Sequence, residues 1–260
     1  MELTTLVQEV VKIAKVAGEI ILDVYENADS FQVEAKSDAS PLTIADKKAN
    51  AHICNELVKL PVDYPIISEE NKAIAYQVRK DFTRFWLVDP LDGTKEFIKR
   101  NGEFTVNIAL IENGQPIMGV VYAPVLDEMY WATQGNGAFW TKNGEELPLE
   151  AASFTLADSQ LQVVCSRSHL NEATQKFVDQ LDQPQLVPTG SSLKFLIIAK
   201  GEAHVYPRLG PTMEWDTGAA HMILQEAGGK VEKADDNQPL EYNKEDLLNP
   251  YFVAYGNVQA

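Results

Sequence analysis

Phe85-Trp86-Leu87-Val88-Asp89-Pro90-Leu91-Asp92-Gly93-Thr94-Lys95-Glu96-Phe97 is the stretch whose reading decides the fold. Phe85 to Val88 is a run of apolar side chains, the pattern of a short strand buried on both faces. A carboxylate ends it, and Pro90, which has no N–H, is expected to stop the ladder there. Asp92-Gly93 is turn chemistry, and Thr94 opens a short helix through Ile98. Two acids and a hydroxyl therefore gather at the carboxyl end of a buried strand, beside free helix amides. In layered α/β proteins ligands bind at that position.

Working outward, the 260 residues approach the size at which a single core gives way to two. Hydrophobic content of 45% with 23% charge is ordinary for a globular enzyme. A formal charge of −16 argues against a nucleic-acid partner. It also means that an anionic substrate would need cations or a local basic patch. Cys54 and Cys165 are far apart in apolar contexts and read as reduced, buried thiols. The N-terminus has no basic segment, and no apolar run reaches membrane-spanning length. The expectation is a cytoplasmic protein with no integral membrane segment, and attachment to the cytoplasmic face of the inner membrane is left open. Monomer and homodimer remain equally open.

Leu3 to Tyr25 carries apolar residues at three- and four-residue steps, an amphipathic helix. Ser30 to Lys36 alternates like a strand, Ser37 to Pro41 is a polar loop, and a second helix runs to about Lys59. Tyr64 to Ile67 is a strand that runs into Ser68-Glu69-Glu70, and Asn71 to Arg84 is connective. Thr105–Ile111 and Pro116–Tyr122 form a hairpin around Asn113-Gly114. Glu128–Ala132 and Ala138–Trp140 extend that meander. Past Asn143 the character changes to short strands (161–165, 186–188, 203–206, 230–232) alternating with helices (171–181, 191–200, 217–227). A layered α/β chain follows, with its boundary near residues 145–160. The expected division is an N-terminal α+β domain over residues 1–150 and a C-terminal α/β domain over 151–260.

Glu69, Asp89, Asp92 and Asp216 each stand where an apolar strand or turn gives way to a helix. Singly they read as a solvated strand end, a turn residue or a helix cap. Gathered in one site, each close pair would repel by about 4 kcal/mol at ~4 Å and an effective dielectric near 20. A divalent cation relieves that repulsion, and an all-oxygen set selects a hard ion such as Mg²⁺. Cys165 and His169 have a zinc-like spacing with no second pair to complete it. Asp89-Pro90-Leu91-Asp92 also differs from the Asp-x-Asp-Gly-Thr of aspartyl-phosphate phosphatases by one extra residue. The chain has no glycine-rich phosphate loop and no nucleophile elbow. Carboxylates around metals beside helix amides suit phosphate-ester hydrolysis.

At these residues the chain closely resembles the lithium-sensitive, Mg²⁺-dependent inositol monophosphatase superfamily, over essentially its whole length. Asp89-Pro90-Leu91-Asp92-Gly93-Thr94 and Trp215-Asp216-Thr217-Gly218-Ala219 are similar to the two signatures of that family. Ser68-Glu69-Glu70 resembles its Glu-Glu element, and Ser40 to Asp46 its N-terminal mobile loop. The run from Trp86 through Lys95-Glu96-Phe97 to Glu103-Phe104-Thr105-Val106-Asn107-Ile108, with Gly190-Ser191-Ser192-Leu193-Lys194-Phe195 and Tyr206-Pro207-Arg208, is most similar to its bisphosphate nucleotidase branch.

The resemblance implies an αβαβα sandwich shared with fructose bisphosphatases. It implies two Mg²⁺ ions, one on Glu69, Asp89 and the Leu91 carbonyl, the other on Asp89, Asp92 and Asp216. It leaves room for a third near Glu70 or Asp46. It assigns the main metal site to residues 1–150, and substrate-binding residues with a last metal ligand to residues 151–260. Glu69, Thr94 and Asp46 would be catalytic, with Asp46 orienting Thr94 toward the attacking water. The Gly93 and Thr94 amides would hold the scissile phosphate, with Glu69, Leu91, Asp92 and Asp216 also facing substrate. Ser191, Lys194 and Arg208 would contact a nucleotide's phosphates, and Ser191 and Lys194 would share one face of a helix start. Ser166 to His169 would approach the adenine or ribose, while His52 and His221 would be structural. The implied substrate is adenosine 3′,5′-bisphosphate, with 3′-phosphoadenosine-5′-phosphosulfate as a second candidate. An inositol or sugar monophosphate is the alternative.

Overall fold

In the computed structural model, α1 (Leu3–Glu26) buries the stripe Leu6, Val10, Ile13, Ala14, Ala17 and Ile21 that its sequence period dictates. The structure describes residues 1–26, 33–35, 41–166 and 171–259, with backbone only at 33–35 and 41–43. Of the expected strand over 30–36, β1 (Val33–Ala35) is described, and it pairs antiparallel with β2 (Pro41–Thr43). The remainder of that strand, the polar loop 37–40, the first residue of the expected mobile loop and Arg167-Ser168-His169 lie outside the described residues. The zinc-like pair of Cys165 with His169 falls there too. α2 (Ile44–Leu57) follows and packs on α1.

The first large sheet is formed by β3 (Ile66–Ser68), β4 (Arg84–Asp92), β5 (Thr105–Glu112), β6 (Gln115–Ala123), β7 (Glu128–Thr133), β8 (Ala138–Lys142) and β9 (Glu145–Pro148). These seven strands lie side by side in chain order. β3 and β4 are parallel, and every later pair is antiparallel. Between β3 and β4 the connection contains a single helical turn, α3 (Tyr76–Arg79), and α4 (Thr94–Ile98) follows β4. The hairpin turn has Asn113 at φ 48° and Gly114 at φ 78°, the left-handed pair of a two-residue turn.

The second half begins with β10 (Ser153–Phe154) and continues through β11 (Gln162–Cys165), α5 (Glu172–Val178), β12 (Gln185–Pro188), α6 (Leu193–Ala199) and β13 (Val205–Arg208). A 3₁₀ turn, Glu214–Asp216, leads into α7 (Gly218–Glu226), then β14 (Lys230–Lys233), β15 (Phe252–Tyr255) and β16 (Asn257–Val258). Five of these strands form a sheet in the order β12-β11-β13-β15-β14.

Alternation along β4 and β5 explains the layering. Trp86, Val88, Val106, Ile108 and Leu110 face α1 and α2. Phe85, Leu87, Ala109 and Ile111 face the opposite way, into a cluster with Leu196 of α6 and Met222 and Ile223 of α7. That cluster continues to Val164, Tyr206, Phe252 and Ala254 of the second sheet. On the far side Val163, Val205 and Val253 pack against Val178 and Phe177 of α5. The order is helix, sheet, helix, sheet, helix, the αβαβα sandwich expected. α7 lies directly on β6. A Cβ on Gly119 would sit 2.1 Å from the Ala219 carbonyl oxygen, so only glycine allows that approach.

Three local expectations are corrected. β4 does not stop at Asp89 but resumes pairing at Asp92 after an irregularity. β9 occupies part of the segment read as a change of character. β15 was not anticipated, although it lies between β13 and β14.

Candidate active site

The cluster is built by strand register. β3 pairs parallel with β4, and the Glu69 N–H donates to the Val88 carbonyl at 3.2 Å, which sets Glu69 beside Asp89. Asp89 opposes Asn107 and Asp92 opposes Thr105, so β4 spans with three steps what β5 spans with two. That extra residue is a bulge. Pro90 sits inside it, where a missing N–H costs no ladder hydrogen bond. The Leu91 N–H turns back to Asp89 Oδ1 at 3.0 Å while its side chain stays in the core. Gly93, at φ 96°, then reverses the chain into α4, and Thr94 Oγ1 donates to the Leu91 carbonyl at 3.4 Å.

Asp216 arrives from the other half of the chain, at the end of the 3₁₀ turn. Its Oδ2 accepts the Met213 N–H at 2.9 Å. It therefore caps that turn, and Thr217, not Asp216, is the N-cap of α7. Glu69, Asp89 and Asp216 each place one carboxylate oxygen within 4.8 Å of the others. Two ionised carboxylates at that separation repel by about 3.5 kcal/mol at an effective dielectric near 20. Burial and the charges of Glu69, Asp92, Asp216 and Asp46 push the Asp89 carboxyl well above the usual range. Burial, Asp92 and Glu69 push Asp216 up to about 8, against the opposing pull of the Met213 amide and Arg208. Asp46, fully buried in the first turn of α2, thus belongs to the same field. Carboxylates held together at this cost, with no His or Cys in the group among the described residues, fit a hard divalent cation.

Asp92 has a different environment. Its Oδ2 accepts Ser191 Oγ at 2.6 Å and Ser192 Oγ at 2.8 Å. Ser192 Oγ also lies 2.9 Å from the Asp216 carbonyl and accepts Asn107 Nδ2 at 2.9 Å. Thr105 Oγ1 is 3.0 Å from Asn107 Oδ1 and 2.7 Å from Ser191 Oγ. Glu103 accepts the Gly190 N–H at 2.9 Å, fixing the start of the same loop. Sequence reading placed Ser192, Thr105, Asn107 and Glu103 within family-like runs and gave none of them a role. The available signal was the polar pair Thr105 and Asn107 at alternate positions of an otherwise apolar strand.

A cavity of about 190 Å³ opens beside this loop, lined by Ser166, Ser191, Lys194, Tyr206 and Arg208 among others. It shares Asp92, Gly93, Glu96, Arg208 and Asp216 with a second, open cavity that contains Glu69, Asp89 and Thr94. Lys194 Nζ donates to the Ser191 carbonyl at 2.8 Å and lies 5.7 Å from the centre of the Tyr206 ring. Ser191 has φ 50° and precedes α6, so this hydrogen bond, not a shared helix face, joins it to Lys194. Burial lowers the Lys194 pKa, and Asp92 acts in the opposite direction. Arg208 Nη2 donates to the Pro211 carbonyl at 2.6 Å, and its buried Nε has no partner. Among the described residues neither cation has a carboxylate within 4.0 Å as an ion-pair partner. His221 is buried against the Tyr242 hydroxyl at 2.9 Å, and His52 is half-buried on α2. Both cysteines are free thiols, Cys165 buried and Cys54 partly so.

Comparison with known proteins places this geometry. The inositol monophosphatase family model matches residues 2–257. The 3′(2′),5′-bisphosphate nucleotidase CysQ of Salmonella typhimurium is 45% identical over 248 residues, covering 95% of this chain and 98% of that protein. CysQ of Escherichia coli strain K12 is 44% identical with the same coverage. The crystal structure of CysQ from Bacteroides thetaiotaomicron superposes with a TM-score of 0.84 at 41% identity, covering 99% of each chain. The Staphylococcal IMPase-I structure, at 19% identity and a TM-score of 0.80, shares the fold. The chain belongs to the inositol monophosphatase family.

Proposed function

We propose that the protein is a Mg²⁺-dependent phosphatase that removes the 3′-phosphate of adenosine 3′,5′-bisphosphate, giving AMP and phosphate. The observation that carries this reading is the pair Lys194 and Arg208. Among the described residues they are cations without ion-pair partners, in a cavity that shares its wall with a carboxylate cluster, on a chain of net charge −16. A monophosphate engaged at the carboxylate end leaves both unused. A second phosphate engages them by charge-assisted hydrogen bonds. The bisphosphate nucleotidase names of the relatives support the same substrate. The phosphosulfate analogue is a second substrate on this reading, and the cellular role is clearing a by-product of sulfate assimilation in the cytoplasm.

Glu69, Asp89 and the Leu91 carbonyl would hold one Mg²⁺, and Asp89, Asp92 and Asp216 a second. A third, near Glu70 or Asp46, extends the same proposal. The chemistry supplied on binding is neutralisation of phosphoryl charge and acidification of the attacking water. The Thr94 hydroxyl donates to the Leu91 carbonyl at 3.4 Å; on this reading its one hydrogen would turn to Asp46, leaving the oxygen to accept a hydrogen from that water. Asp46 would set the orientation of Thr94. The Gly93 and Thr94 amides hold the scissile phosphate at the start of α4, and Ser191, Lys194 and Arg208 hold the distal one.

The test is phosphate release with Mg²⁺ from adenosine 3′,5′-bisphosphate, inositol 1-phosphate and fructose 1,6-bisphosphate, each with and without Li⁺. Selective, Li⁺-inhibited turnover of the nucleotide is expected. Preference for inositol phosphate overturns the substrate assignment, and no turnover of any substrate would make the protein a cation-binding module.

A further inference from the structure

We infer that Asn107 and Ser192 are positioning residues that hold the Asp92 carboxylate for its metal ion, together with Thr105. The inference rests on the reading of Asp92 as a ligand, and it extends that reading to buried residues that are not themselves ligands, of which Ser192 also lines the substrate cavity. Ser192 and Asn107 are each 1% exposed and Thr105 is fully buried, so water cannot substitute for a missing partner.

Donor counting gives the arrangement a direction. Asn107 Nδ2 donates to Ser192 Oγ at 2.9 Å. Ser192 has one hydroxyl hydrogen, and with its oxygen already accepting, that hydrogen is left for Asp92 Oδ2 at 2.8 Å or the Asp216 carbonyl at 2.9 Å. Both acceptors belong to proposed ligands of the same ion. The Asn107 amide is fixed by Thr105 Oγ1 on its oxygen side, 3.0 Å away. Ser191 Oγ lies 2.6 Å from the same Asp92 Oδ2, with Thr105 Oγ1 at 2.7 Å and the Asp92 carbonyl at 3.1 Å as its other neighbours, so Oδ2 sits between two hydroxyls.

The relay also spans the two halves of the chain. Thr105 and Asn107 stand on β5 of the seven-stranded sheet, while Ser191 and Ser192 lie in the loop before α6. Asp92 is thus clamped by residues that come together only when both layers are packed. Groups that orient a ligand in this way change metal affinity by 10–100-fold when removed, typically without touching the ion.

The experiment is calorimetric titration of Mg²⁺ and Mn²⁺ into chelator-treated protein without substrate, alongside its thermal midpoint. Wild type, Ser192→Ala, Asn107→Leu and the near-isosteric Thr105→Val are compared. Ser192→Ala and Asn107→Leu are expected to weaken the ion by roughly 10–100-fold. Thr105→Val should weaken it by less, and excess metal should restore activity in all three. Unchanged metal affinity in variants that only melt earlier would overturn the inference. So would weakening by Ser192→Ala with none by Asn107→Leu. A wild type that binds no metal would instead defeat the assignment of the cluster, and the two failures are separable. If Asn107→Leu does not fold, Thr105→Val carries the same test.

Discussion

Asp89→Asn tests the charge economy of the site most directly. The substitution keeps Oδ1, so the 3.0 Å acceptor for the Leu91 N–H survives, and it removes one carboxylate from the group within 4.8 Å. In metal-free protein the raised Asp89 pKa means that the folded state holds a proton which the unfolded state has lost. A carboxyl whose folded pKa lies above its unfolded value contributes full stability below the unfolded value, near pH 4. That stability is lost as pH rises toward the folded pKa. The loss amounts to about 1.4 kcal/mol per pH unit for each such group. Asp89→Asn deletes that slope, so the variant should match the wild type near pH 4 and gain on it as pH rises toward 7. The Coulomb repulsion of one pair at 4.8 Å, about 3.5 kcal/mol, sets the scale of that gain.

Urea unfolding of chelator-treated protein at several pH values between 4 and 8 reads this difference, with the buried Trp86 as the fluorescent reporter. Mg²⁺ should stabilise the wild type more than the variant, and the variant should be inactive. A variant less stable than wild type at pH 7, or one whose gain is the same at every pH, would refute the reasoning.

Lys194→Met should lower kcat/KM for adenosine 3′,5′-bisphosphate by about 10–100-fold, the size of one charge-assisted hydrogen bond. It should leave a 3′-monophosphate lacking the 5′-phosphate nearly unaffected, which steady-state kinetics on both substrates would show. His221 titrates at about 4 in the fold, depressed by burial. Its contribution is therefore complete above its unfolded pKa of about 6.5 and is lost as pH falls from there toward 4, by about 1.4 kcal/mol per unit. Relative to wild type, His221→Gln should flatten that part of the stability profile. Gly119→Ala should push α7 off β6 and cost about 1–3 kcal/mol, measured as a shift in denaturant midpoint. Because α7 follows Asp216 directly, the same variant should bind Mn²⁺ more weakly.

Periodicity made α1 and the strands around Asp89 legible because their partners repeat along the chain. β9 was not, since Glu145-Glu146-Leu147-Pro148 is exposed throughout and lacks the alternation of a half-buried strand. β15 escaped for another reason: its short apolar run is specified by pairing with β13 and β14, which no local signal reports. Pro90 misled in an informative way, because a proline that ends a regular ladder is tolerated in a bulge. Each acid of the site was visible at a strand end or turn. Their convergence depended on register, with Glu69 set beside Asp89 by the parallel pairing of β3 and β4. The link from Thr105 and Asn107 to Ser191 and Ser192 was harder to read, since the first two are polar residues of an ordinary strand until the loop before α6 packs over them.

Arg208 lies where the two cavities meet, and its position separates its role from that of Lys194. Salt screens the general repulsion of an acidic surface beyond about 8 Å, so attraction of an anion must be exerted at short range. Both cations can do that. Arg208, which lines the cavity that holds Glu69 and Asp89, is the stronger of the two in opposing the upward shift of Asp216, by favouring its ionised form. An ionised Asp216 is the form that binds a cation. Arg208→Met should therefore weaken substrate binding and also raise the pH at which metal affinity is half lost. Lys194→Met, whose charge acts on Asp216 more weakly than that of Arg208, should weaken substrate binding with a smaller displacement of metal affinity. Mn²⁺ titrations of both variants across pH 5–8 decide the matter. Equal displacement of the two metal-affinity profiles, or none in either, would mean that the charge at the junction does not reach the carboxylates.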